Sequence, residues 1–122
     1  MKSTDDNIIA AKTKQFAIRI IRLSNFLREE KKEYVLSKQI LRSGTSIGAN
    51  VREGIRGQTD PDFYSKMSIA LKETEETGYW LELLHETDYL NDDEFDSLYS
   101  DYLEIARILM AITKTQKTKN TK

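Results

Sequence analysis

Apolar residues recur along most of this chain at alternating steps of three and four, the period that lines one face of an α-helix. Phe16, Ile20, Leu23 and Leu27 form the first stripe, extended two turns back by Ile9, and predict a helix over 5–30. The run Arg28-Glu29-Glu30-Lys31-Lys32-Glu33 holds no apolar residue and reads as a solvated helix end and connection. A second helix is expected from near Glu33 to about Gly57, with Leu36, Ile40, Ser43, Ile47, Asn50 and Gly54 as its seam. Gly54 and Gly57 suit its C-terminal end, where a left-handed residue is often required. The third helix opens at Thr59-Asp60-Pro61-Asp62, with Asp60 as cap and Pro61 at the first helical position. Its seam is Phe63, Met67, Ala70, Thr74, Thr77, Leu81 and Leu84. Asn91-Asp92-Asp93-Glu94 has the form of a capping box, and Phe95, Leu98, Tyr102, Ile105, Leu109 and Ile112 follow as the fourth seam. No segment alternates with a strand period. Short connections make neighbouring helices antiparallel, so the expected fold is all-α, an up-down-up-down four-helix bundle over 1–113. Residues 114–122 carry four lysines and no apolar side chain, and are expected to form a disordered basic tail.

The middle of the second helix breaks the usual composition. Ser43-Gly44-Thr45-Ser46-Ile47-Gly48-Ala49-Asn50 strings together poor helix formers, with Gly costing roughly 1 kcal/mol against Ala. Packing must recover that loss. Gly44 and Gly48 lie four apart and would let another backbone approach closely. Ser46, Asn50 and Glu53 line a second stripe of hydrogen-bonding groups. With Gly54, and with Glu73 on the third helix, these residues are the expected set that fixes helix register, and Asn50 is expected to be buried against Glu53 or Glu73. The third helix is apolar on more than one side: Tyr64, Ile69, Tyr79, Trp80 and Leu83 lie beyond its seam and form the expected subunit interface.

Ser46-Ile47-Gly48-Ala49-Asn50-Val51-Arg52-Glu53-Gly54 resembles the signature of the bacterial four-helix-bundle proteins named for intervening sequences in 23S ribosomal RNA genes. Leu71-Lys72-Glu73-Thr74-Glu75-Glu76-Thr77-Gly78-Tyr79-Trp80-Leu81 is similar to a second block of that family, and the likeness spans Phe16 to Ile112. The family name records a gene location rather than an activity. A related branch serves as the accessory protein of diversity-generating retroelements, a ring of five that works with a reverse transcriptase and RNA. The resemblance therefore implies a homo-oligomer, a pentamer by that analogy, with RNA or an operon-encoded protein as partner.

Composition narrows the chemistry. At 122 residues the chain holds one core, and without cysteine it can build neither a disulfide nor a thiolate metal site. No apolar run approaches the ~18 residues that suggest a membrane span, and Met1-Lys2-Ser3-Thr4-Asp5-Asp6-Asn7 lacks the apolar stretch of a secretion signal. A cytoplasmic location and no membrane partner are expected. The net charge of −1 hides a segregation. Residues 1–57 carry 12 Lys and Arg against 6 Asp and Glu, whereas 58–110 carry 3 against 14. A basic helix pair beside an acidic pair explains this, and so does a basic surface for nucleic acid or a pair of complementary subunit faces. Lys12, Arg19, Arg22, Arg42, Arg52 and Arg56 are the candidate phosphate contacts.

Catalysis finds little support. Glu82-Leu83-Leu84-His85 matches the Glu-x-x-His element of di-iron bundles, but that site needs a second copy and His85 is the sole histidine. Ser46 on a helix offers no nucleophile elbow, no arginine stands shortly before His85, and Gly44–Asn50 lacks the spacing of a P-loop. No catalytic residue, metal site or cofactor is expected. The preferred reading is a non-enzymatic, homo-oligomeric bundle associated with RNA or a ribonucleoprotein. The alternative is a protein–protein scaffold whose charge segregation orders subunits.

Overall fold

The computed structural model describes the backbone of residues 4–120 and the side chains of residues 6–115. It contains four helices and, among the described residues, no strand: α1 (Thr4–Glu29), α2 (Leu36–Ile55), α3 (Asp60–Glu86) and α4 (Asp92–Asn120). Helices adjacent in sequence touch along their length, and α1 also meets α4, while the diagonal pairs do not meet. Cross-helix contacts set the direction of each pair. Gly48 faces Thr13 and Gly44 faces Ile20; Arg42 pairs with Glu76 and Glu53 with Lys66; Glu82 meets Tyr99 and His85 meets Asp92. In every pair one number rises as the other falls, so neighbours run antiparallel. The core inside this ring is aliphatic, with Ile9, Phe16, Ile20, Leu27, Ile40, Ile47, Met67, Leu81, Leu84, Ile105 and Leu109 fully enclosed.

Local chemistry sets the helix ends. The Asn91 carboxamide accepts from the Glu94 amide at 2.8 Å while Glu94 accepts from the Asn91 amide at 3.0 Å, the reciprocal box expected from the sequence. At α3 the cap is Thr59 rather than Asp60: the Thr59 hydroxyl accepts from the Asp62 amide at 3.2 Å, and Asp60 is already helical. The second helix starts three residues later than its pattern suggested. Glu33 stays outside it and its carboxylate accepts from the amides of Val35, Leu36 and Ser37 at 2.8–3.2 Å, so an anion satisfies three orphan donors at the positive end of the dipole. The expected left-handed glycine at the end of α2 is absent, since no glycine has positive φ. The left-handed residues are Lys32 (φ 55°) after α1 and Asp88 (φ 70°) after α3. There the Glu33 amide reaches back to the Leu27 carbonyl and the Tyr89 amide to that of Leu84, both at 2.9 Å. The fourth helix does not stop at Thr113 but is helical through Asn120. Lys and Gln are good helix formers, and cations are favoured at a C-terminus. Thr121 and Lys122 lie outside the described residues.

The buried face of α2 is Ser37, Ile40, Ser43, Gly44, Ile47, Val51 and Gly54. It takes Val51 in place of the expected Asn50, and Ser37 in place of Leu36. One step of four instead of three brings the branched apolar side chain inward and leaves the carboxamide at the margin, avoiding the cost of burying an amide.

The two glycines expected to share one role divide it unequally. A Cβ on Gly44 would lie 2.7 Å from Ile20 Cγ2 and 3.1 Å from Ile20 Cβ, and a β-branched side chain has little freedom to yield. A Cβ on Gly48 would meet Thr13 at 3.4 Å, ordinary contact. Gly44→Ala should therefore lower stability by about 1–3 kcal/mol through overpacking, a loss larger than its gain in helix propensity. Gly48→Ala should be neutral or raise stability by up to ~1 kcal/mol. Urea denaturation midpoints of the two variants test the contrast; equal destabilisation would overturn this account of the α1–α2 contact.

Candidate functional site

The stretch Ser43–Gly54 faces two helices at once. Toward α1 it presents Gly44 and Gly48. Toward α3 it presents Ser43, to whose hydroxyl the Thr77 hydroxyl donates at 2.8 Å, both groups fully buried. Thr77 is also within 2.8 Å of the Glu73 carbonyl, four residues back on α3. Further along, a Cβ on Gly54 would lie 3.0 Å from Lys66 Cβ and 3.1 Å from Met67 Cε, so α2 and α3 are close at this end too. The direct polar tie between the two helices in their common core is thus Ser43–Thr77. Asn50 does not supply it: half-buried, it donates to the Ser46 carbonyl of its own helix at 2.9 Å. Ser46 likewise donates to the Arg42 carbonyl at 2.7 Å. The Asn50 bond is local to α2 and does not itself tie α2 to a neighbour. Glu53 and Glu73 reach across to α3 and α2 respectively as ion pairs at the surface, Glu53 with Lys66 at 2.9 Å and Glu73 with Arg42 at 3.3 Å.

The charged residues expected to meet phosphate fall into two groups. Lys12 pairs with Glu104 at 3.1 Å, Arg19 with Asp101 at 2.7 Å and with the Ser97 hydroxyl at 2.8 Å, and Arg42 with Glu73 and Glu76. These three brace the basic helices to the acidic ones. Arg22, Arg52 and Arg56 are exposed and make no ion pair among the described residues. Glu76 is the most engaged of the carboxylates: burial pushes its pKa up, but hydrogen bonds from Arg42 and from Trp80 Nε1 together outweigh this and hold it below the usual range.

The expected interface residues also separate. Tyr79 is 55 % exposed and Ile69 39 %. Trp80 is half-buried with its ring 5.3 Å from that of Tyr79 and its N–H committed to Glu76. Tyr64 is half-buried edge-on to Phe63, and Leu83 is half-buried. Other exposed apolar side chains were missed: Ile8 and Ile21 on α1, Tyr34 and Val35 before α2, and Leu103 and Met110 on α4. Leu103 and Met110 lie seven apart, a signal available in the sequence that the stronger seam of α4 obscured. Tyr34 and Val35 lay in the stretch assigned to the interior of the second helix.

A ladder of rings closes the α3–α4 side. His85 stacks on Phe95 at 4.1 Å, Phe95 on Tyr99 at 4.7 Å, and Tyr99 packs on Tyr102 at 4.8 Å. His85 Nε2 lies 2.7 Å from Asp92, and Tyr99 donates to Glu82 at 2.7 Å. Gly78 makes room for the ladder, since a Cβ there would run into the Tyr102 ring. Both residues of the Glu82/His85 pair are thus held by α4. Among the described residues no three His, Asp or Glu side chains gather as a metal site, and no helix is long and apolar enough to cross a membrane. The surface depressions are shallow. The one between α1 and α2, about 420 Å³, has Ala10, Ala17, Gly48 and Ala49 in its lining and Lys14 and Arg52 beside them.

Two predictions follow from these contacts. Removing the hydroxyl with Thr77→Val should cost about 1–3 kcal/mol, because it strips a buried bond. Asn50→Ala should cost less than ~1 kcal/mol, its bond being local and half-exposed. Chemical denaturation of both ranks them, and the reverse order would restore Asn50 as the register residue. The second concerns alkali. The hydrogen bond to Glu82, then burial, push the Tyr99 pKa from 10.0 to about 12. A group with a raised folded pKa stabilises fully below its unfolded value and loses that contribution as pH climbs through the folded one. Stability should fall between pH 10 and about 12, and Tyr99→Phe should flatten part of that slope in thermal melts read across the range.

The model of the 23S rRNA-intervening sequence protein family matches residues 5–111. A crystal structure of a protein of unknown function from the S23 ribosomal protein family of Bacteroides thetaiotaomicron VPI-5482 is 50% identical in sequence. It superposes with a TM-score of 0.88, and the alignment covers 91% of this chain and 99% of that one. No curated protein is significantly similar to the chain.

Proposed function

Because the chain belongs to the 23S rRNA-intervening sequence protein family over 5–111, we propose that it acts as a non-catalytic helical scaffold that assembles with copies of itself. One observation carries this reading. The bundle closes its own core, yet Tyr79, Leu103, Met110, Ile21 and Val35 stand outside it with 42–68 % of their surface exposed. Of these, Tyr79 on α3 and Leu103 and Met110 on α4 stand on neighbouring helices, and apolar side chains gathered there suit burial against protein. The ring of five implied by family resemblance is one form such an assembly takes.

Association with RNA is the second reading, favoured by Arg22, Arg52 and Arg56 remaining exposed outside the ion pairs. Half of the candidate phosphate contacts, namely Lys12, Arg19 and Arg42, are already paired with carboxylates of the same chain. That lowers the charge a single copy offers to phosphate, and makes the scaffold the stronger of the two. The family name, which refers to 23S rRNA intervening sequences, and the S23 ribosomal protein family of the similar Bacteroides protein support RNA only by analogy.

Light scattering at micromolar concentration should return a mass that is a multiple of 14.2 kDa. A titration against structured RNA at several salt concentrations separates the readings, because phosphate contacts release counterions and steepen the salt dependence. A monomer that binds RNA with a steep salt slope would replace the scaffold by the second reading.

A further inference from the structure

We propose that copies of this chain associate head to tail, the α1–α2 face of one docking on the α3–α4 face of the next; this rests on the self-assembly reading above and assigns its surfaces. Since α1 meets α2 and α4, and α3 meets α2 and α4, with no diagonal contacts, the two faces lie on opposite sides of the bundle. Their chemistry is complementary in charge and in relief.

On α2 the stripe opposite the buried face is Lys38, Thr45, Ala49, Arg52 and Arg56, spaced seven, four, three and four apart. It carries three cations and no acid. Across the groove stands Lys14 of α1, and the acid beside it, Glu53, is already paired with Lys66 at 2.9 Å. The floor between them is made of alanines and Gly48, which leaves a depression of about 420 Å³ rather than a ridge. On the opposite side, the outward stripe of α3 includes Glu75, Tyr79 and Glu86, and that of α4 includes Asp96 and Leu103. Lys72 and Arg107 share these stripes, but Glu86, Asp92, Asp93, Glu94 and Asp96 keep the end of the face near the α3–α4 turn acidic. Tyr79 is 55 % exposed and Leu103 44 %, and the Glu82–Tyr99 bond places these two helices at a register that brings both side chains to a similar height.

The match is therefore two projecting apolar side chains beside the acidic end of the α3–α4 face, against a small-residue groove whose unpaired charges are the cations Lys14 and Arg52. Opposite-charge patches facing each other favour that orientation, while groove against groove or ridge against ridge would set like charges together. Because the mating surfaces differ, the contact is heterologous and repeats from copy to copy, closing into a ring if the rotation between copies permits and extending otherwise. An isologous dimer built on either face alone would have to bring like charges together.

The test uses charge reversal on each face at exposed positions that hold no ion pair: Lys14→Glu/Arg52→Glu on one, Glu75→Lys/Glu86→Lys on the other. Each variant should keep the helical signal and melting behaviour of the wild type in circular dichroism. Each alone should fall to the 14.2 kDa monomer mass in light scattering where the wild type is larger. Mixed one to one they should reassociate, because a copy acidic on both faces now meets a copy basic on both. A wild type that is itself a monomer overturns the self-assembly reading and this assignment with it. A wild-type oligomer whose mass survives both reversals, or a mixture that stays monomeric, overturns the face assignment alone. Loss of structured-RNA binding by Lys14→Glu/Arg52→Glu with the oligomer mass unchanged assigns the basic face to nucleic acid and also overturns it.

Discussion

The fold depends on how closely α2 can be approached from both sides. A helix with large side chains on two flanks holds its neighbours ~8–10 Å away. Here one flank is cut down to Gly44 and Gly48 and the other to Ser43 and Gly54, so Ile20 lies over the α2 backbone from one direction and Met67 from the other. The helix penalties of Gly and Ser are local, whereas the contacts they admit are made with two helices at once. The Ser43–Thr77 bond becomes possible only at such a separation, because two short hydroxyl side chains must meet at 2.8 Å across the interface. Gly78 repeats the device on α3, where the backbone passes under the Tyr102 ring.

What was legible in the sequence follows from the range of the interaction involved. The helix count came through because each seam repeats over five to seven residues, and the box at Asn91–Glu94 because all its groups lie within four positions. Where the answer depended on a neighbour in space, the pattern alone was ambiguous. The seam of α2 can pass through either residue 50 or 51, as both steps are helical; the enclosure between α1 and α3 selects Val51 and turns Asn50 back onto its own helix. Left-handed backbone was expected at the end of α2 because glycines are there, but Gly54 and Gly57 are needed for close approach. A Cβ on Gly57 would meet the Gly54 carbonyl at 3.1 Å and Asp62 Cβ at 3.2 Å. Among the described residues, positive φ falls instead on Lys32 and Asp88, where the chain must reverse.

Charge was legible by segment and illegible by pair. Counting signs along the chain separates a basic half from an acidic one, but antiparallel packing decides which cation meets which anion. It sets Arg19 against Asp101 and Arg42 against Glu73 and Glu76, so part of the segregation is consumed between helices. Exposed pairs of this kind add little to stability. Their effect is subtraction: each removes a charge from the outer surface and changes what that surface can attract.

The aromatic set divides by the same logic. Tyr99, Tyr102 and Trp80 are at first sight as available for recognition as Tyr79, since all four sit on helices near the acidic half. Tyr99 gives its hydroxyl to Glu82, Trp80 gives its N–H to Glu76, and Tyr102 fills the space over Gly78. Tyr99 and Tyr102 are committed to holding α4 against α3, and Trp80 is tied down within α3 itself. Tyr79 alone of the four has more than half of its surface outside. Its ring lies 5.3 Å from that of Trp80, and Leu103 is exposed on the adjoining helix. The aromatic content of a helical bundle therefore says little about recognition until the committed rings are set aside, and here that subtraction leaves a short apolar ridge bordered by carboxylates.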